Sequence, residues 1–201
     1  MKYQTKTIDD LLEEIGEDKT QNLSTTSFQF KRDLWDFFSA DDWAEKNCIE
    51  FGTHKGQTTR VLSYLFDVVY TINLPKHFYE SEHLNSDRSN IVYVPLDLYS
   101  DPLDYKFPHR PLSVVFIDAV HTFDAVLHDF ARSKNLKLNS EVYYVFDDYG
   151  LVREVYQAVN QLILTNQVEK VKYIGHPPRY SFGGRPERVL TDHEGIICRS
   201  K

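Results

Sequence analysis

Acidic residues and a histidine recur in this chain directly after short apolar runs. Glu50 lies in the run 48–51, Asp97 follows 91–95, Asp118 follows 112–117, and Asp147 and Asp148 follow 142–146. Only the run 68–72 ends otherwise, in Asn73. If the runs are strands, these ends bring carboxylates to one edge of a sheet. A desolvated carboxylate is costly without a partner, so such an edge implies a cationic or hydroxyl-rich ligand. His121, three residues after Asp118, has an ordinary pKa near neutrality and suits removal of a proton from a hydroxyl. Its alternative is a structural histidine bonded to the strand end. Asp118, Asp147 and Asp148 offer hard oxygen ligands of the kind Mg²⁺ takes. Their alternative, for Asp147 or Asp148, is to cap the next helix.

The turn after the first run narrows the ligand. It reads Glu50-Phe51-Gly52-Thr53-His54-Lys55-Gly56-Gln57-Thr58. A glycine after a parallel strand permits a sharp turn and a close approach to backbone. A dinucleotide turn needs Gly-x-Gly-x-x-Gly, and its second glycine is His54 here. A P-loop needs four residues between its glycines, then Lys and Ser or Thr; here three intervene and Gln57 follows. Neither phosphate cradle is present in the turn, and a cofactor without phosphate fits it better. An ordinary strand-to-helix turn is the alternative.

The elements that would position these groups follow from periodicity. Strands are expected at 48–51, 68–72, 91–95, 112–117, 142–146, 168–174 and 195–199, and helices at 58–66, 122–133 and 151–164. The run 112–117 is almost wholly apolar, as for a parallel strand covered on both faces. Ahead of them, 8–15 and 28–38 carry helical stripes, 17–27 reads as a polar loop, and a short helix is expected over 40–47 around Trp43. The stretch 74–90 reads as a polar crossover, and 176–186, with Tyr180, Phe182 and Arg185, as a Pro- and Gly-rich arm. Alternation of strands and helices predicts an α/β fold: a Rossmann-like, seven-stranded, mostly parallel sheet with helices on both faces, an antiparallel last strand and a short N-terminal helical cap. A single domain over 1–201 is expected, with the cap at 1–46 and the core at 47–201.

Composition is that of an ordinary globular chain, at 201 residues with 41% hydrophobic residues and a formal net charge of −7. The charge argues against a nucleic-acid surface, which normally shows a basic stripe. Cys48 and Cys198 lack metal-ligand spacing and read as buried thiols. With no signal-peptide pattern and no run long enough to span a bilayer, a cytoplasmic location and no membrane partner are expected.

The turn at Gly52 resembles motif I of the class I S-adenosylmethionine (SAM) dependent methyltransferases. Val115-Phe116-Ile117-Asp118-Ala119-Val120-His121-Thr122-Phe123, then Asp129, then Val145-Phe146-Asp147-Asp148-Tyr149, is similar to the second half of the methyltransferase family 24 pattern. The resemblance runs from about residue 48 to about residue 164. It implies SAM as cofactor, with Glu50, Gly52, Thr53, Gly56 and Thr58 around the methionine end. It also implies Asn73 at the ribose, where the family commonly has an acid, Asp97 at the adenine amino group, and Asp118 near the reacting centre. Some relatives hold a divalent cation, which places Mg²⁺ at Asp118, Asp147 and Asp148. The implied activity is O-methylation of a small-molecule hydroxyl, with His121 and Asp118 catalytic and no nucleic-acid partner; a homo-oligomer is compatible with it. The alternatives are a non-catalytic SAM- or nucleoside-binding module and a metal-dependent enzyme of another chemistry on the same fold.

Overall fold

The computed structural model describes residues 6–16, 26–39, 42–103, 111–176 and 191–201. Residues 17–25 of the expected loop 17–27, residues 40 and 41 of the expected short helix, and positions 177–186 of the arm lie outside the described residues. Seven strands form one sheet in the order β3-β2-β1-β4-β5-β7-β6. They are β1 (Asn47–Phe51), β2 (Val68–Asn73), β3 (Ile91–Pro95), β4 (Leu112–Ile117), β5 (Leu138–Phe146), β6 (Val168–Ile174) and β7 (Gly195–Ser200). The first five are parallel, whereas β7 lies antiparallel to both β5 and β6. Strand order reverses between β1 and β4, the place where open α/β sheets bind ligands.

Successive strand residues face opposite sides of the sheet. Along β4, Val114 and Phe116 join one hydrophobic cluster, and Val115 and Ile117 the other. The first cluster receives α1 (Ile8–Glu14), α2 (Phe28–Phe38) and α3 (Gln57–Leu65) through Leu11, Leu12, Phe30, Leu34, Val61 and Leu62. The second receives α5 (Phe123–Ser133) and α6 (Arg153–Leu164) through Val126, Phe130, Val155, Val159 and Leu162. The helices begin where the sequence supplies caps. Thr7 and Asp10 form a reciprocal capping box on α1, the Ser27 hydroxyl accepts from the Phe30 N–H at 3.1 Å, and the Thr122 hydroxyl from Ala125 N–H at 3.3 Å. No helix among the described residues is long and apolar enough to cross a membrane.

Several expectations are corrected. Residues 42–46 form irregular turns, not a helix. Trp43 still packs, edge-on to Phe38 at 4.8 Å and Tyr143 at 5.2 Å, so its burial needs no helical stripe. The crossover 74–90 contains a 3₁₀ turn (Pro75–His77) and α4 (Tyr79–Leu84), whose single buried residue, Ser81, leaves no apolar periodicity to read. Strand β5 starts at Leu138, four residues before the expected 142, because half-buried Asn139 and exposed Ser140 and Glu141 extend it past the core. Helix α6 starts at Arg153 rather than 151. Leu151 N–H and Val152 N–H both donate to the Asp148 carbonyl, which closes a turn first.

Candidate functional site

A cavity of about 990 Å³ opens beyond the carboxyl ends of the parallel strands. Gly52, Asn73, Asp97, Asp118, His121, Asp147 and Asp148 line it, seven of the sequence-selected residues. Gly52 follows β1 at φ +96°, and a Cβ there would lie 2.0 Å from the Asp118 carbonyl oxygen. The missing side chain therefore lets β4's exit cross β1's exit, and this crossing forms the cavity floor. Among the described residues three non-glycines have positive φ, and two of them, His54 and Asp148, stand on the cavity wall. Such conformations cost free energy and concentrate at functional sites.

The other selected residues stand behind the wall. Glu50, 1% exposed, accepts hydrogen bonds from the Thr59 and Thr71 hydroxyls on one oxygen, each at 2.6 Å. Thr53 extends the network through Thr71 at 2.6 Å. Glu50 thus joins β1 to α3 and β2, and burial, only partly offset by these hydroxyls, raises its pKa to about 8. Thr58 pairs with the Thr26 hydroxyl at 2.8 Å. At Gly56, φ +78°, a Cβ would collide with Ser81 Oγ at 2.0 Å, so this glycine admits α4. Asp97 accepts from Tyr99 N–H at 2.9 Å and shapes its own loop, which holds its carboxyl below the usual range.

Carboxylates surround His121. Its Nε2 lies 3.1 Å from Asp118 Oδ1 and its Nδ1 lies 3.0 Å from Asp148 Oδ2. Burial alone would lower the imidazole pKa, but the Asp118 hydrogen bond and the two negative charges outweigh it and raise the pKa. Asp148 is pushed up to about 6, by burial first and then by Asp118 against the pull of His121. Asp147 is raised well above its ordinary value by burial and by Asp118, Asp148 and Glu194, and its buried Oδ1 has no hydrogen-bond partner among the described residues. Neither aspartate caps α6, whose N-cap is Val152 with no side-chain bond. Ligand atoms of Asp118, His121 and Asp147 all lie within 4.8 Å of one another. The converging trio thus differs from the expected one: His121 takes the place of Asp148, which approaches the far side of the imidazole.

Two site features have no counterpart in the strand-end motifs. Glu194, 3% exposed, lines the cavity, accepts from Ser27 N–H at 2.8 Å and has a pKa raised by burial to about 8. It precedes β7, and an antiparallel strand begins where parallel strands end; applying the edge filter to strand starts would have found it. The second is a mooring of the loop after β3. Tyr99, on the cavity wall, donates to Asp129 Oδ2 on α5 at 3.2 Å, while Arg132 donates to the Leu98 and Asp101 carbonyls. Asp129 is fully buried, and burial raises its pKa to about 6.

No protein-family model matches this chain, and no curated protein sequence matches it. Solved structures match its fold. An O-methyltransferase from Bacillus cereus in complex with S-adenosylhomocysteine (SAH) superposes with a TM-score of 0.61 at 15% identity, covering 96% of this chain and 89% of that one. A SAM-dependent O-methyltransferase from Thermotoga maritima gives 0.62 at 12% identity, covering 94% and 70%. Fibrillarin from Aeropyrum pernix, with natively bound SAM, gives 0.55 at 14% identity, covering 79% and 67%. The chain has the Rossmann-like methyltransferase fold.

Proposed function

We propose that this protein is a SAM-dependent methyltransferase acting on a hydroxyl group of a small molecule. The observation that carries the reading is His121, held between Asp118 and Asp148 on a cavity at the β1/β4 switch point. The cavity fits the cofactor in donor chemistry: acidic groups at Asp118, Asp147 and Asp148 suit its cationic methionine end, and the loop at Leu98 and Tyr99 offers a wall for a flat base. The buried, unpartnered Asp147 Oδ1 supplies an acceptor awaiting a donor. SAM, when bound, supplies a methyl group on a sulfonium whose departure leaves a neutral thioether.

The chain's own residues position the acceptor and take its proton. An acceptor hydroxyl that enters between His121 Nε2 and Asp118, once the Nε2 proton shared with Asp118 has been lost to solvent, would hand its own proton to that nitrogen as its oxygen takes up the methyl group. Asp148 at Nδ1 would orient the ring and stabilise the imidazolium formed, as a carboxylate behind a catalytic histidine does. Asp118 would hold the ring while the site waits. Glu50, Thr53, Gly56 and Thr58 support the turn from behind, while Gly52, Asn73 and Asp97 line the cavity and would be the residues to meet the cofactor.

A divalent cation at Asp118, His121 and Asp147 is the competing use of the same nitrogen. An imidazole in the set favours borderline metals over Mg²⁺. Calorimetric titration with SAH, repeated with Mg²⁺ and with EDTA, tests both readings. Micromolar binding in EDTA supports the cofactor site without metal; binding only with Mg²⁺ moves the proton-acceptor role to a metal-bound hydroxyl. No binding by folded protein in either condition refutes the methyltransferase reading.

A further inference from the structure

The cavity is electrostatically divided, and one half has no counterpart in the reading above. Asp118, Asp147, Asp148 and Glu194 stand at the ends of β4 and β5 and the start of β7. Across from them, the β1–α3 turn contributes His54 and Lys55, and the β2–α4 connection contributes Lys76 and His77. Several cations elsewhere in the described chain are paired with carboxylates: Arg60 with Asp87 and Glu14, Arg199 with Glu169 and Glu141, Arg32 with Asp9. Among the described residues, His54, Lys76 and His77 have no carboxylate partner. Glu80, which also lines this side, pairs with none of them. In a chain of net charge −7, one lysine and two imidazoles without a carboxylate partner on one wall form a donor set that a ligand could answer.

The residue at the end of β2 points the same way. Asn73 Oδ1 accepts from Leu74 N–H at 2.8 Å, which uses one of the oxygen's two lone pairs, so the amide offers a ligand its two NH₂ donors against one remaining acceptor site. A ribose diol asks for acceptors at this position, and the dinucleotide folds supply an acid for it. Donors beside basic side chains suit a phosphate instead, as they do where such folds accommodate a ribose phosphate. The presentation is fixed. Pro75 starts the 3₁₀ turn, His77 N–H donates to the Leu74 carbonyl at 2.9 Å, and Phe78 is buried edge-on to Tyr93 at 5.1 Å. Lys76 and His77 stand exposed on the outside of that turn.

We propose that the wall formed by His54, Asn73, Lys76 and His77 binds a phosphate monoester. The phosphate sits on the cavity rim between the end of β2 and the side chain of His54, and meets side chains there rather than a diphosphate cradle of backbone, which the spacing of the Gly52 turn excludes. It is carried either on the ribose of a nucleoside ligand or on the acceptor. The proposal uses the cavity assigned above but does not require methyl transfer.

The test is calorimetric titration of the full-length protein, wild type and the double variant Lys76→Ala/His77→Ala, with adenosine, adenosine 2′-phosphate, adenosine 3′-phosphate, inorganic phosphate and SAH. A ribose phosphate that tightens adenosine binding by about tenfold or more, with the gain lost in the double variant, supports the proposal and assigns the phosphate to a nucleotide. Inorganic phosphate that binds wild type but not the variant, with no gain for either adenosine phosphate, supports it and assigns the phosphate to the acceptor. Equal binding of adenosine and its phosphates without phosphate binding overturns it, as does a gain that persists in the variant. SAH separates the two readings. SAH binding without any phosphate effect refutes this inference alone, and a phosphate effect without SAH binding refutes the methyltransferase reading alone.

Discussion

Replacing Glu50 by Gln should make the protein more stable at neutral and alkaline pH, although Glu50 sits in the most family-like segment of the chain. The carboxyl is 1% exposed, its donors are two threonine hydroxyls, and no cation pairs with it among the described residues. Its pKa rises from an ordinary 4.5 to about 8 on folding. As pH climbs above 4.5 the unfolded chain gives up the proton while the folded chain keeps it, so stability falls, and it levels off above pH 8. Integrating over that window, the group costs the fold about 3 kcal/mol at pH 7 and about 5 kcal/mol at pH 9. A glutamine retains an acceptor for the hydroxyls and carries no such term. Urea unfolding followed by tryptophan fluorescence at pH 5, 7 and 8 measures both proteins. The stability of Glu50→Gln minus that of wild type should grow by about 3 kcal/mol between pH 5 and pH 8. Other buried acids, Glu194 and Asp147 among them, tilt both curves equally and cancel in the difference. A constant or shrinking gap would mean that Glu50 is ionised in the fold, with the two hydroxyls outweighing burial.

Three further outcomes follow from the site. His121→Ala should lower kcat by about 10²–10⁴-fold on an acceptor that wild type methylates, while calorimetry shows SAH affinity within about threefold; retained turnover would remove His121 from the chemistry. Gly52→Ala should cost at least about 2 kcal/mol more in urea unfolding than Gly16→Ala, since both glycines have positive φ but only the first would meet the Asp118 carbonyl, at 2.0 Å. Similar costs would show that conformation alone matters there. Asp129→Ala should weaken SAH binding about tenfold, and Asp129→Asn, which can still accept from Tyr99, by less than about threefold; equal losses would mean the negative charge, not the mooring of Tyr99, is what counts.

The sheet was legible in the sequence because each central strand is buried on both faces, which writes a near-continuous apolar run. The boundaries of β4 agree with the structure at both ends for that reason; those of β3 and β6 agree too, although these are the edge strands and most of their residues are partly exposed. Helix α4 was not, because its contribution is one small serine placed against Gly56, a contact between segments 25 residues apart that no local period records. At the site, the spacing of Asp118 and His121 already put them together. The approach of Asp148 to the other face of the imidazole depends on its positive φ of 55°, which a non-glycine residue does not advertise. Strand-end logic also could not separate carboxylates that face the cavity from Glu50, which turns inward; that distinction rests on Thr59 and Thr71, found on a helix and on a neighbouring strand.

Strand β7, lying between β5 and β6, has a consequence for how the protein is made. On the ribosome the five parallel strands are complete once Phe146 has emerged, and they can pair with one another. Strand β6 emerges with no sheet neighbour to receive it, because its partner, β7, is synthesised after it. Until residue 200 is out, β5 presents an open edge, a template for association with other nascent chains. The same late segment brings Glu194 to Ser27, a contact spanning 167 positions that ties down the entrance to α2. Premature termination after β6 would therefore leave two ends of the molecule unfastened at once, and chaperone capture or proteolysis would be its expected fate.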